Sequence, residues 1–405
     1  MNFNNHSKQE TIEKLKNGEL PIIIFGAATV GEVMYHACSS VGIKVECFCE
    51  NNINKTKKTL CGIKVYSVQD VKIKYQDAIF LISAADIKDV VDQLQNLGYS
   101  KWYASSLLLR NFNTYQYQFN VPMDFVEYAI ATCLLCHDSY LTPDKLFLRS
   151  VDIVITEHCS LRCKDCSNLM RYYKNPVSYE TKELIKTIDR FCFIMDEINE
   201  FRVIGGEPLM NKDSHLIIKR LIDEPKVKKV TIYTNGTIVP REDQIAYLKN
   251  SKILFIITDY GKLSRNLDSL IKVLCENGIA YYVEKVEGWT DCAKIMKHNR
   301  KSEKQKEIFR NCCAKNTTTL LKRNLYRCPF SANASNLRAV PTFKEDHINI
   351  FDESININEM KTKIKKFFLV KDFLNTCDYC NGRSFDDPEI QPAIQVNKPI
   401  EYQEY

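Results

Sequence analysis

Residues 152–169 read DIVITEHCSLRCKDCSNL. The opening Asp152–Ile155 is a short apolar run of the kind that makes a buried strand. Just behind it Cys159, Cys163 and Cys166 stand in the spacing C-x3-C-x2-C. The chain holds 17 cysteines among 405 residues, and its first ten residues, MNFNNHSKQE, lack the apolar core of an export signal. In a reducing compartment disulfides do not persist and clustered thiols tend to bind metal. Three thiolates on one short loop can hold three irons of a 4Fe–4S cube and leave the fourth iron without a protein ligand. A zinc site would want a fourth ligand close by. His158 is adjacent, but its side chain leaves the backbone before the loop.

Outward from this loop, apolar runs alternate with helical segments. Strands are expected at Asp152–Ile155, Phe201–Ile204, Lys229–Tyr233, Ile253–Thr258 and Ala280–Lys285, which makes five or six strand–helix units, too few for an eight-unit barrel and suited to a partial one. Ligand groups gather at the carboxyl ends of such strands. Gly205, Gly206, Glu207 and Pro208 (IGGEP) end the second strand, Thr234, Asn235 and Gly236 (TNGT) the third, and Thr258 and Asp259 (ITDYG) the fourth. Two glycines let the backbone approach a ligand closely, and Glu207 offers charge to a cationic amine. TNGT also reads as a plain turn, since Asn-Gly is a common turn dipeptide.

With these motifs arriving in order, residues 151–286 resemble the radical S-adenosylmethionine enzymes. The resemblance implies that Cys159, Cys163 and Cys166 hold the cluster. S-adenosylmethionine then binds at the open iron, IGGEP receives the methionine amino group, and TNGT and ITDYG complete the cofactor site. It also implies the chemistry. One electron from the reduced cluster breaks a sulfonium–carbon bond, and the 5'-deoxyadenosyl radical removes hydrogen from an unactivated carbon. The cofactor carries that reaction, so no protein acid or base is singled out as catalytic. The chain's task is to exclude water and hold the target carbon near the radical. The residue before the last cysteine is usually aromatic in this family and here is Asp165, a departure that bears on the adenine contact and not on the cluster.

Downstream, Cys312 and Cys313 (FRNCCAKN), Cys328 (LYRCPF) and the pair Cys377 and Cys380 (NTCDYCNGR) offer four thiolates from a loop, a turn and a knuckle. Such a set can saturate a second 4Fe–4S cluster. It looks like the shortened auxiliary-cluster domain called twitch, without the extra cysteines of the longer SPASM form. A four-cysteine zinc site is the rival, and either of the adjacent Cys312 and Cys313 can be the ligand. An auxiliary cluster beside a deprotonated substrate radical accepts an electron and leaves an oxidised product. A purely structural one permits hydrogen return, giving epimerisation or rearrangement.

Upstream, Pro21–Gly26 (PIIIFG), Lys44–Glu50 and Ala78–Ala84 read as strands, with helices over Ala28–Ser39 and Asp86–Leu97, and imply a Rossmann-like parallel sheet. Gly26, Ala28 and Gly31 (GAATVG) approach the dinucleotide fingerprint with alanine at the middle glycine, and Glu50 ends the second strand where an acid binds ribose hydroxyls. Together with CGIKVYSVQDV (61–71), this segment looks like the small Rossmann-like domain of bacterial enzymes that build or decorate nucleotide-activated sugars. A purely structural or docking role is the alternative.

The fold class expected is therefore α/β: a Rossmann-like domain (1–110), a helical linker (111–150), a partial radical SAM barrel (151–290) and an irregular cysteine-rich auxiliary domain with a tail (291–405). Hydrophobic residues at 45% and charged residues at 26% suit soluble domains with real cores, and a net charge of +6 spread over this length is too weak a field to mark a nucleic-acid partner. No apolar run reaches the roughly 18 residues of a membrane span. Cys133 and Cys136 pack one helical face, and the basic stretch 297–306 (KHNRKSEKQK) reads as solvated surface. Tyr260 and Gly261 follow Asp259 at the substrate mouth. The expectation is a cytoplasmic enzyme that oxidises, or epimerises, a sugar or nucleotide sugar for surface polysaccharide, fed by an electron donor such as flavodoxin or ferredoxin. A maturase of ribosomal peptides is the second reading and a non-catalytic metal-binding protein the third.

Overall fold

Strand–helix alternation builds two separate sheets. The computed structural model describes residues 5–56, 58–142, 145–369, 372–384 and 387–405. The chain divides into two units, Met1–Lys145 and Leu146–Tyr405.

In the first unit α1 (Asn5–Asn17) precedes β1 (Ile22–Phe25), α2 (Thr29–Ser40), β2 (Cys47–Glu50), β3 (Thr59–Leu60) and β4 (Ile63–Ser67). Then follow α3 (Val68–Lys74), β5 (Ile79–Ile82), α4 (Ile87–Asn96), β6 (Trp102–Tyr103), α5 (Ser106–Leu109) and α6 (Met123–Leu141). The sheet order is β3-β4-β2-β1-β5-β6, parallel except for the β3–β4 hairpin. Side chains alternate across a strand. Ile22 and Ile24 therefore meet Val33, Met34 and Ala37 of α2 on one face, while Ile23 and Phe25 meet Val71, Val90 and Leu94 on the other. Burial on both faces is why IIIF is continuously apolar.

The stretch 111–150 does not act as a linker. Val126, Ile130 and Leu134 of α6 pack into the same core as α2, and the ring of His137, buried and pushed down to about 4 by desolvation, accepts from the Ser105 amide. The Asn/Tyr/Gln-rich run before α6 hid this, because polar residues there alternate with Phe112, Phe119 and Val121, which cover the core edge. Cys133 and Cys136 are buried on α6.

In the second unit β7 (Phe147–Val154), β8 (Glu197–Ile204), β9 (Val227–Thr234), β10 (Ile253–Asp259) and β11 (Tyr281–Lys285) are separated by α7 (Thr181–Ile194), α8 (Ser214–Asp223), α9 (Glu242–Leu248) and α10 (Leu267–Glu276). β12 (Trp289–Thr290), α11 (Ser302–Asn311), β13 (Thr318–Leu321), β14 (Asn324–Tyr326), α12 (Pro329–Asn336), β15 (His347–Asn349), α13 (Ile357–Leu369) and β16 (Glu389–Ile390) complete it. The main sheet runs β11-β10-β9-β8-β7-β13-β14-β15. Val151, Ile153, Phe201, Val203, Val230, Ile232, Phe255 and Ile257 face the helices, each worth about 1.5–3 kcal/mol when fully buried. Val154, Ile204, Leu321 and Tyr326 point to the opposite face.

The cysteine-rich segment after residue 290 is not separate from this sheet. β13 lies parallel beside β7 and β14 and β15 extend it antiparallel, while Met360, Ile364 and Phe367 of α13 join the helix-side core. The β13–β14 turn is Lys322-Arg323, with Lys322 at φ +55, and carries none of the Asn-Gly chemistry that marks a hairpin in sequence.

Candidate active site

The cysteine loop leaves the carboxyl end of β7, which lies between β8 and β13. Its neighbour is the IGGEP loop from β8, which continues the ladder past the sheet: Gly206 N donates to Thr156 O (2.9 Å) and Glu207 N to His158 O (2.8 Å). A Cβ on Gly205 would lie 2.3 Å from Thr156 O, and one on Gly206 would lie 2.1 Å from His158 O and 2.8 Å from Cys159 Cβ. The two glycines are thus required by the cysteine loop itself.

Glu207 is fully buried and accepts hydrogen bonds from three protein donors. Oε1 accepts from Thr234 Oγ1 (2.9 Å) and Leu209 N (3.2 Å), and Oε2 from Asn235 N (2.9 Å). Burial pushes its carboxyl up to about 7, against these hydrogen bonds. The carboxylate pins the end of β8 to the end of β9. Three of the roughly four acceptor positions of an ionised carboxylate are thereby filled from the protein.

Asn235 bridges back to the cysteine loop, donating from Nδ2 to Ser160 Oγ (3.1 Å) and to Cys159 Sγ (3.7 Å). Gly236 takes φ +69, which lets TNGT turn, and Ser264 Oγ donates to Asn235 O (2.8 Å) and Thr258 O (3.2 Å), joining the third strand end to the fourth. Asp259 Oδ1 accepts from Gly261 N (2.7 Å), closing its own turn. Tyr260 sets its ring edge-on to Trp289, 5.7 Å between centroids, and burial, then Cys166 and Cys163, push its phenol up. Asp165 is buried within the loop.

Burial likewise raises the thiols. Cys159 is pushed further by Cys166, Glu207 and Cys163, and Cys163 rises to about 11. Buried thiols that repel one another as thiolates suit a cationic centre. The tail supplies a partner that spacing did not reveal. Residues 394–396 run antiparallel to the loop, and Gln395 Nε2 donates to Cys163 Sγ (3.2 Å) while its Oε1 accepts from Arg162 N (2.6 Å).

Cys312, Cys328, Cys377 and Cys380 form a second group: burial raises all four, the first three are raised further by others of the set, with Cys312 reaching about 12, and Cys380 is raised further by Cys292. Cys313 adjoins Cys312, and Arg383 and Cys292 are the main charges that act on it. Among the described residues no three of these sulfurs come within 4.8 Å of one another. The knuckle is fastened by Asp346, which accepts from the amides of Asn375 (3.0 Å) and Thr376 (2.7 Å), and by Arg300, whose Nη1 donates to the carbonyls of Cys377 (2.9 Å) and Cys380 (2.8 Å). Arg300 belongs to the basic stretch expected as solvated surface. Lys297, Lys301 and Lys304 are exposed, but Arg300 is drawn inward because the knuckle leaves two carbonyls to satisfy.

In the first unit Gly26 has φ +114, and a Cβ on Gly31 would lie 2.1 Å from Gly26 O. Glu50 Oε2 accepts from Ala27 N (3.0 Å), and Oε1 from Asn51 N (2.8 Å) and Asn52 N (3.0 Å). The acid fastens the glycine loop to the end of β2.

Residues 153–258 match the Radical SAM superfamily, and residues 19–102 match the C2185-like N-terminal family. The second unit therefore contains a radical SAM domain, a class that works with a 4Fe–4S cluster and S-adenosylmethionine. A GTP 3',8-cyclase of Campylobacter jejuni strain RM1221 is 36% identical over 123 residues, covering 29% of this chain and 34% of that protein. Molybdenum cofactor biosynthesis protein 1 of Dictyostelium discoideum is 26% identical over 152 residues, covering 36% of this chain and 22% of that protein. The chain thus spans about a third or less of the length of these curated relatives. The crystal structure of BtrN in complex with AdoMet and 2-DOIA covers 59% of this chain and 94% of that one at 20% identity, with a TM-score of 0.38.

Proposed function

We propose that the chain is a radical SAM enzyme that oxidises a carbinol carbon of a sugar or nucleotide sugar, with one 4Fe–4S cluster on Cys159, Cys163 and Cys166 and a second on Cys312, Cys328, Cys377 and Cys380. The observation that carries the reading is the convergence of the cysteine loop, IGGEP and TNGT at adjacent strand ends, tied together through Glu207 and Asn235. When bound, the first cluster and S-adenosylmethionine supply a 5'-deoxyadenosyl radical.

The chain's own residues hold that site. Gly205 and Gly206 allow the loops to touch, Glu207 locks strand ends, Tyr260 and Trp289 wall the mouth, and Gln395 covers Cys163. Asn235, Gly236, Thr258 and Asp259 complete the S-adenosylmethionine site. For the second set, a zinc tetrahedron with Zn–S of about 2.3 Å needs sulfurs roughly 3.8 Å apart. A cube places each thiolate on its own iron and spreads them further apart. Four ligands leave no open iron, which suits an electron acceptor and hence net oxidation over epimerisation.

The sugar is supported by the first unit's strand–glycine loop–helix order, and the place of action is the cytoplasm, with a flavodoxin or ferredoxin as electron donor. Among the described residues no helix is long and apolar enough to cross a membrane. A second reading, cyclisation of a purine nucleotide, is favoured by the names of the curated relatives.

Anaerobic reconstitution should give about eight irons per chain. With dithionite and S-adenosylmethionine the protein should release 5'-deoxyadenosine, and Cys163→Ala should abolish that release. Among candidate substrates, a nucleotide sugar should lose two hydrogens. An isomerised purine nucleotide would establish the cyclase reading instead, and release that survives in Cys163→Ala would remove the radical assignment.

A further inference from the structure

The first unit carries a donor set that neither the glycine loop nor the sheet uses. Glu32 and His36 lie one turn apart on α2 and so share a helix face. Cys61 occupies the two-residue turn between β3 and β4. One carboxylate oxygen, one ring nitrogen and the sulfur all lie within 4.8 Å of one another, and all three residues are half-buried. Their supports are firm, since Leu60 and Ile63 of the hairpin pack against the core that holds Val33, Met34 and Ala37 of α2.

The His36 ring is oriented without hydrogen bonds. It stacks on Tyr117 at 4.3 Å and meets Phe119 edge-on at 5.9 Å, which leaves both ring nitrogens available. Among the described residues, none of the three groups has a hydrogen-bond or ion-pair partner. An unpaired carboxylate facing a half-buried thiol is electrostatically unsettled: burial and then Glu32 push Cys61 up to about 11.

We propose that Glu32, His36 and Cys61 form a binding site for a borderline-soft divalent ion of the zinc type, with water in the fourth position. Zinc takes sulfur at about 2.3 Å and nitrogen or oxygen at about 2.0–2.2 Å in a tetrahedron, which brings ligand atoms to roughly 3.3–3.8 Å apart. Closing from separations of up to 4.8 Å shortens them by about an ångström. A sulfur, a nitrogen and a single carboxylate exclude magnesium and calcium, which demand oxygen cages. Binding releases the Cys61 proton to solvent and involves no oxidation. The site is independent of the reading given for the second unit.

The test is metal analysis of the full chain after anaerobic iron–sulfur reconstitution, incubation with zinc sulfate and passage over a weak chelator. Wild type should keep about one zinc per chain beyond its iron. Cys61→Ala and His36→Asn should each lose it with iron unchanged, and Glu32→Gln should weaken retention tenfold or more. Zinc should also raise the melting temperature of wild type but not of these variants, a readout that separates lost binding from lost folding. Absence of retained zinc in wild type would overturn the site, as would zinc that stays in both Cys61→Ala and His36→Asn.

Discussion

In the first unit a Cβ on Gly31 would sit 2.1 Å from the Gly26 carbonyl, and in the second a Cβ on Gly206 would sit 2.1 Å from the His158 carbonyl. Each glycine follows a parallel strand, and each loop is closed by an acid that accepts two backbone amides and a third donor. Glu50 is half-exposed and takes three amides from its own loop and the strand end beside it. Glu207 is fully buried and reaches across to β9. The same local rule therefore builds a self-contained turn in one place and a joint between three strand ends in the other. What differs is the element approached: Gly31 fits a helix against its own loop, whereas Gly206 fits one loop against a row of thiols.

The sharpest break of that comparison is a matched pair of alanines. Gly206→Ala must displace either His158 O or Cys159, and an error of an ångström at a reacting centre costs about a hundredfold in rate. Iron should fall from about eight to about four per chain, with 5'-deoxyadenosine release reduced at least a hundredfold. Gly31→Ala should cost the first unit about 2–4 kcal/mol by thermal unfolding and leave iron and release intact. Iron retained in Gly206→Ala would show that the two loops are structural alike.

A second pair sharpens the contrast between used and unused thiols. Cys312 interacts electrostatically with Cys380, Cys328 and Cys377 as well as with Cys313, while Cys313 is influenced by Arg383 and Cys292 and by none of Cys328, Cys377 and Cys380 among its main neighbours. Cys312→Ser should bring iron to about four per chain while deoxyadenosine is still released, and Cys313→Ser should leave about eight. Equal losses would place both thiols at the metal.

These residues show what sequence order can and cannot carry. The cysteine triad, IGGEP and TNGT were legible because a parallel strand must end in a loop at the same edge, so motif order alone brings them together. The continuous apolar runs IIIF and ILFIIT were legible because sheets covered on both faces need them. The loop-to-loop contacts of the glycines and of Glu207 were not legible, since sequence does not say which loop a close approach or a buried acid will meet. Gln395 and Arg300 carried no signal: each acts across more than 75 residues of chain, through a contact that only folding creates. β13–β15 escaped because strands of three or four residues show too little alternation to read.

Glu207 is also set apart by its full burial. Burial raises its folded pKa from 4.5 to about 7, so the folded state favours the protonated acid. The associated stability is fully present below about pH 4.5 and is lost as pH rises through 7, amounting to at most about 3 kcal/mol. Glu207→Gln cannot titrate. In urea unfolding the variant should therefore gain on wild type by up to that amount between about pH 4.5 and about pH 8. A constant difference across the range would mean that the hydrogen bonds from Thr234, Leu209 and Asn235 hold the carboxylate ionised throughout.

The smallest effect belongs to the tail. Gln395 Nε2 places one hydrogen bond on Cys163 Sγ. Such a bond favours the more negative, reduced form of a thiolate-bound cluster, because negative charge on sulfur strengthens it. Its removal in Gln395→Ala should lower the reduction potential of the first cluster by about 20–60 mV, the equivalent of a net hydrogen bond of about 0.5–1.5 kcal/mol in a one-electron couple. A redox titration followed by electron paramagnetic resonance measures this, and the second cluster's potential serves as the internal reference because Gln395 makes no contact with its thiols among the described residues. If both potentials move together, the tail acts through the whole unit and not through the single N–H···S bond. If neither moves, solvent has taken the amide's place at the sulfur.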